Sequence, residues 1–239
     1  LVIVLLYATM KLNGLKTLFS VAVNFVVFLI FVQLDVMLNL TNFFWLFAAA
    51  AFIFTILSLW LVIGFNKQWF VTCASVVSGT VIALLIGLIA MNVTNGKGVH
   101  YEALDYATQS PKQLFLAATV IGLLGTVMDA ATDIVSTLFE MKRTDEKISE
   151  RQLFKSGMAV GRSIMGPLIN VLLMIFFAET FTMAILYFKT GNSIAYTFEW
   201  TMALGIVQTL VSGIGVTLVI PCASFLSAKV LGGAQDVND

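Results

Sequence analysis

The sequence predicts an all-α protein, built as a bundle of helices that crosses a membrane several times. Of its 239 residues 59% are apolar and only 11% are charged, and the mean hydropathy is +0.98. A soluble domain usually carries about 25% charged residues. We therefore expect residues 1–239 to form a single transmembrane helical domain that contacts the lipid bilayer.

Apolar windows of about 19 residues with few charges predict the spans. The clear spans are Leu15–Gln33, Phe43–Gly64, Trp69–Asn92, Leu114–Ser136, Ile164–Phe188 and Met202–Phe225. The opening LVIVLLYATM is also apolar. At a rise of about 1.5 Å per residue, however, it covers only half of a hydrocarbon core of about 30 Å. We expect about seven spans, of which the first is short or truncated.

The distribution of basic residues predicts the orientation of the chain. If successive connections alternate sides, ten of the 13 Lys and Arg residues fall on one side of the membrane. Lys97, Lys112 and Lys189 fall on the other side. Basic residues concentrate on the cytoplasmic side of membrane proteins. The N-terminus is therefore expected outside and the C-terminus in the cytoplasm.

Few residues in the chain have the chemistry of a metal, redox or nucleic-acid site. Cys73 and Cys222 lie in apolar runs, and the single His100 lies in a polar loop away from other metal ligands. The formal net charge is zero, which gives no general attraction to nucleic acid. We expect no disulfide framework, no metal site, no cofactor and no nucleic-acid partner.

The segment GLLGTVMDAATDI places two aspartates within a predicted span. On a helix, steps of four and three residues put the following side chains on one face: Gly122, Thr126, Asp129, Asp133, Ser136 and Glu140. An aspartate at the centre of a membrane helix costs about 2.5–3.5 kcal/mol. The rise from Leu114 places Asp129 about 22 Å and Asp133 about 28 Å deep, in the cytoplasmic half. We expect this face to meet protein or water rather than lipid.

Two later spans offer partners for the aspartates. Arg162 enters from the cytoplasmic side and is the obvious counter-ion, while Asn170, about 12 Å deeper, could hydrogen-bond across the bundle. Gln208 shares a face of the last span with Thr201, Gly205, Ser212 and Gly215. The predicted intramembrane polar site therefore comprises Asp129, Asp133, Arg162, Asn170, Gln208 and Thr126. Two alternatives stay open: Asp133 is simply solvated near the interface, or Arg162 is only a positive-inside anchor.

Small residues on the same spans predict where helices pack closely. Gly157 and Gly161 form a small-xxx-small pair, which lets a neighbouring helix approach. Pro167 lacks a backbone donor and is expected to kink its helix near Ser163. The predicted packing residues are Gly122, Gly125, Gly157, Gly161, Gly166, Pro167 and Gly215.

Three stretches carry a resemblance to a known family: GLLGTVMDAATDI, then LFKSGMAVGRSIMG with the following Asn170, then VQTLVSGIGVTLVIP. Together with the early KLNGLKTL they resemble the YibE/F-like family of bacterial multi-pass membrane proteins. The resemblance covers almost the whole chain and implies a location in the bacterial cell membrane.

The chain departs from the family pattern at several charged positions. Many members carry an aspartate where Ser163 stands, and some carry an acid and an arginine at Gly205 and Gln208 or a threonine at Pro167. The lost charges and the short length resemble the smaller, YibF-like member. In some bacteria such a member occurs beside a longer, YibE-like relative.

Two functions are consistent with these patterns. The first is a transporter or permease-like subunit, in which Asp129 binds a cation or a proton. The alternative is a non-catalytic partner in a hetero-complex with a YibE-like protein, or in a homo-oligomer. An enzyme is not expected, because Asp129 and Asp133 point the same way along one helix. An aspartyl dyad instead needs two carboxylates brought together.

Overall fold

The computed structural model describes residues 18–34, 37, 43–93, 100 and 111–232. Within those ranges the chain is helical and contains no strand. The elements in order are α1 (Leu18–Leu34), α2 (Phe43–Ile63), α3 (Lys67–Val93), α4 (Pro111–Thr144), α5 (Glu150–Lys189), α6 (Ile194–Thr197), a π-helical segment (Phe198–Met202) and α7 (Ala203–Gly232). The predicted all-α class is confirmed.

Five of these helical segments are long and apolar enough to cross a membrane, and α1 is a shorter apolar helix. They confirm the predicted membrane bundle. The opening segment, in which the sequence predicts an additional short span, lies outside the described residues. The total of about seven spans and the orientation of the termini therefore stay predictions.

The helices α4 and α5 are longer than the predicted spans. They contain 34 and 40 residues, so α5 measures about 60 Å, twice the thickness of a hydrocarbon core. A capping box starts α5: the Ser149 hydroxyl accepts from the Gln152 N–H, and the Gln152 side chain accepts from the Ser149 N–H. The helix continues without a break through Pro167. Its first turns therefore extend beyond the hydrocarbon.

Helix α7 lies at the centre of the bundle and packs against α3, α4 and α5. Glycines mark the close approaches. A Cβ atom at Gly79 of α3 would lie 3.0 Å from the Cβ of Val219, and one at Gly161 of α5 would overlap Ile220. At Gly215 of α7 itself, a Cβ would overlap Leu123 of α4. The absence of side chains at these positions lets the backbones come together.

Two clusters of aromatic side chains mark opposite ends of the bundle. At the α2–α3 turn the ring of Phe65 lies 5.7 Å from Trp60 and 4.8 Å from Trp69. At the other end the ring of Tyr196 lies 6.2 Å from Tyr187 and 5.8 Å from Trp200. Such rings concentrate at membrane interfaces.

The separation of the clusters fits a bilayer. Val219 of α7 packs at the level of Gly79, ten residues along α3 from Trp69. With α3 and α7 running antiparallel, Trp69 and Trp200 are separated by about 43 Å of helical rise. A bilayer with its headgroup regions measures about 40–45 Å. The two clusters therefore give a scale for depth within the membrane.

The glycine contacts predict a local stability effect. Gly161→Ala should lower the free energy of unfolding by about 1–3 kcal/mol, because the new methyl overpacks against Ile220. The matched control is Gly213→Ala, since nothing lies within 4 Å of a Cβ there. Thermal unfolding in detergent measures both variants. Equal melting temperatures for the two would contradict the close approach of α5 and α7.

Candidate functional site: the polar face of α4

Helix α4 buries most of its circumference but leaves one face open. Leu123, Val127, Ala130 and Ile134 are completely buried against neighbouring helices. The open face, called the polar face of α4, comprises Gly122, Gly125, Thr126, Asp129, Asp133, Ser136 and Glu140. Thr126 and Ser136 are half-buried, and the other members are exposed. The described part of the chain therefore does not enclose the two aspartates.

Both aspartates lie at membrane depth. Gly122 is level with Gln208, which follows Trp200 by eight residues, about 12 Å along α7. Asp129 is then about 22 Å below Trp200, and Asp133 about 28 Å. On a scale of about 43 Å between the aromatic clusters, Asp129 lies near the centre of the bilayer. Asp133 lies in the half nearer the α4–α5 turn, still within the hydrocarbon.

Gln208 of α7 closes the end of the polar face nearer Trp200. Its Nε2 donates to the carbonyl oxygen of Ala118 at 3.4 Å. A Cβ atom at Gly122 would lie 2.9 Å from the same Nε2. The glycine thus makes room for the amide beside α4. Of the partners predicted on other helices, Gln208 is the residue that the structure brings to this face.

Arg162 and Asn170 lie elsewhere. Both are exposed on α5, and among the described residues no ion pair joins Arg162 to either aspartate. The reason is the rotation of α5, which turns Gly157 and Gly161 into the bundle. Asn170 follows Gly161 by nine residues, or two and a half turns, and therefore points away from the bundle. The expectation that Arg162 neutralises Asp129 is not met within the single chain.

The predicted packing residues divide into two groups. Gly157 meets Ser224 and Leu138, and Gly161 and Gly215 also lie at helix contacts. Around Gly125 and Gly166, in contrast, nothing lies within 4 Å of a Cβ position. These two glycines do not serve packing within the described chain.

The hydroxyl groups on α4 bond to their own helix. Thr126 donates to the carbonyl of Leu123 at 3.1 Å, and Ser136 and Thr137 both donate to the carbonyl of Asp133, at 3.2 and 2.7 Å. The side-chain carboxylates of Asp129 and Asp133 have no hydrogen-bond donor among the described residues. A carboxylate accepts but cannot donate, so it cannot bond to a helical carbonyl. In the membrane each aspartate, while ionised, needs water, a cation or another polypeptide.

The polar face continues into a cavity, open to the surface, at the end of α4 next to the α4–α5 turn. The cavity has a volume of about 750 Å³ and is lined by Ser136, Thr137, Glu140, Met141, Thr144, Asp145 and Ile148. Lys142 holds the following turn by donating to the carbonyls of Glu146 and Ile148, at 2.7 and 3.3 Å. The sequence predicts Ser136 and Glu140 on the face, but the cavity depends on how the α4–α5 turn folds back. Within the described ranges no three His, Cys, Asp or Glu side chains are placed to share a metal ion.

The comparison with known families agrees with this architecture. A family model described as YibE/F-like protein matches residues 1–233. The chain belongs to the YibE/F-like family. The match includes the polar face of α4 and all of α5 and α7, so the YibE/F-like assignment applies to the whole described bundle. No curated protein and no solved structure matches the chain.

Hydration of the polar face can be measured by cysteine labelling in a chain without Cys73 and Cys222. A charged, membrane-impermeant methanethiosulfonate applied from the side of the α4–α5 turn should label Glu140→Cys, Ser136→Cys and Asp133→Cys. A thiol reacts with this reagent as the thiolate, which forms only where water reaches it.

The matched control is Ile134→Cys, because Ile134 is adjacent to Asp133 and is completely buried. It should stay unlabelled under the same conditions. Labelling that stops at Glu140 would show that water does not enter the polar face above the cavity.

Proposed function

We propose that this protein is a transporter or permease-like subunit that conducts a small cation or a proton along the polar face of α4. The observation that carries the proposal is the continuity of that face. It runs from Gln208 near the outer third of the membrane, past Asp129 at the centre, to the inner cavity. Intramembrane carboxylates commonly mark ion or proton pathways.

The chemistry of the face supports a positively charged substrate. Asp129 and Asp133 lie about 6 Å apart along the helix, so a cation or proton released by one can reach the other. Glu140 and Asp145 line the cavity below them and extend the negative charge towards the inner surface. Each transfer from one carboxylate to the next replaces one oxygen ligand by another. The ion therefore keeps a polar ligand while it crosses the hydrocarbon.

The open side of the face supports a subunit rather than a self-contained transporter. A pathway exposed to lipid along its length would not hold water or an ion. Asp129 and Gly125 are exposed in the single chain, and Gly125 leaves space for another helix. We therefore propose that the pathway is completed by further polypeptide against α4.

The test is ion or proton flux into proteoliposomes that contain the protein together with any subunit that co-purifies with it. Asp129→Asn keeps the size of the side chain but removes its charge, and flux should fall about tenfold or more, since a loss of 1.4 kcal/mol in binding is already tenfold. Glu146→Gln is the control, because Glu146 is exposed in the α4–α5 turn. Equal flux through the wild type and Asp129→Asn would exclude the proposed pathway.

One observation favours a second candidate function, a non-catalytic partner in a hetero-complex. Asp129 lacks a cation in the described chain, so its counter-charge would come from a YibE-like protein. A lone charge in the membrane promotes association with its opposite. In this case the chain supplies an interface, and its Asp129 stabilises the complex instead of carrying an ion.

Purification from native membranes distinguishes the two functions. For a partner role, wild-type protein should co-purify with a second membrane protein in fixed stoichiometry, and Asp129→Asn should lose it. The Glu146→Gln control should keep it. Wild-type protein that purifies alone and still conducts would contradict the partner role.

A further inference from the structure

Helix α5 is the least buried of the five described helices that are long enough to span a membrane. Only 17% of the apolar stretch of α5 is buried, the smallest share among the five spanning helices. The outward face of α5 comprises six exposed residues: Ala159, Ser163, Gly166, Pro167, Asn170 and Met174. Lipid or protein must cover this surface.

Asn170 makes this face different from a lipid-facing surface. Its amide has no hydrogen-bond partner among the described residues. Phe176 of α5 packs against Gly205, which lies five residues below Trp200. Asn170 precedes Phe176 by six residues along α5 and therefore lies deeper in the membrane. Asn170 is therefore about 16 Å below Trp200, within the hydrocarbon. An amide at that depth is costly unless it finds a partner, and acyl chains offer none.

A second unsatisfied group lies on the same face. Pro167 has no N–H, so it cannot donate to the carbonyl of Ser163 as a helical residue normally would. The Ser163 hydroxyl does not replace this bond, because it donates to the carbonyl of Val160 at 2.7 Å. The Ser163 carbonyl therefore lacks its usual helical donor, two turns from the Asn170 amide, which carries both donors and an acceptor.

We infer that the outward face of α5 binds the same face of a second copy of this chain. Copies inserted in the same orientation are related by an axis along the membrane normal. Such a two-fold axis brings each residue of the contact to its own equivalent at the same depth. Asn170 then meets Asn170, and because each amide donates and accepts, the pair is self-complementary. A different protein would have to bring a matched amide to this depth.

The shape of the face fits a close helix contact. A shallow groove of about 500 Å³ runs along it, lined by Pro167, Asn170, Val171, Met174, Ile175 and Ala178. Gly166 borders the groove and has nothing within 4 Å of its Cβ position. Small residues beside a polar one are typical of helix contacts within membranes.

The test is disulfide cross-linking in native membranes, in a chain without Cys73 and Cys222. Ser163→Cys, Met174→Cys and Ala178→Cys, all exposed on α5, should each give a dimer on oxidation. Phe52→Cys is the control: Phe52 is also exposed, at 50%, but on α2. Dimers should form several-fold more at the three α5 positions than at Phe52. Equal cross-linking at all four positions, or none on α5, would overturn the inference.

A second measurement distinguishes the contribution of the Asn170 amide from nonspecific association of α5. Asn170→Leu should shift the purified protein from dimer to monomer, as counted by single-molecule photobleaching in lipid nanodiscs. Asn170→Gln, which keeps an amide, should retain the dimer. A dimer that survives Asn170→Leu unchanged would show that the amide does not hold the contact.

The inference stands apart from the proposed transport. Cross-linking on the outward face of α5 does not depend on Asp129, which lies on α4. Absence of the α5 dimer with Asp129-dependent flux intact would overturn only the dimer. Cross-linking at α5 with no flux through the wild type would overturn only the transport proposal.

Discussion

The structure depends on one constraint: a polar group inside the hydrocarbon must have a polar partner. The chain satisfies most of its buried hydroxyls within their own helices. Thr55, Ser75 and Ser224 each donate to a carbonyl four residues earlier, at 2.7–2.9 Å. An ionised carboxylate cannot do this, because it carries no donor. Among the described residues Thr80, Thr197 and Ser227 are buried without a partner. Asp129, Asp133 and Asn170 also lack one but are exposed on the bundle surface, where another group can reach them.

Packing around α7 decides the directions in which Asp129, Asp133 and Asn170 point. The glycines of α3, α5 and α7 allow backbones to approach closely, and close approach fixes the rotation of each helix about its axis. Because Gly161 is turned towards Ile220, the neighbouring Arg162 is exposed on α5. The same rotation turns Asn170 away from the bundle. One set of glycine contacts therefore both builds the core and separates the arginine from the aspartates.

The single chain presents two incomplete polar surfaces, on α4 and on α5. The face of α4 is acidic and needs positive charge or water, whereas the face of α5 carries an amide that its own equivalent can satisfy. Because the two surfaces differ in chemistry, the two proposals place different neighbours against α4 and α5. Under the two proposals above, this YibE/F-like chain acts together with further polypeptide at each surface.

The sequence by itself determined the helical membrane class, the family and the positions of the main spans, because hydropathy and periodicity are local properties. It also placed Asp129, Asp133 and Thr126 on one face, since the helical repeat fixes that relation. It could not decide whether Arg162 and Asn170 turn towards that face. Their direction depends on the rotation of α5, which is set by contacts with α7 far away in the sequence. The tertiary structure alone decided that Gln208 reaches α4, that a cavity extends the polar face inward, and that Asn170 points outward.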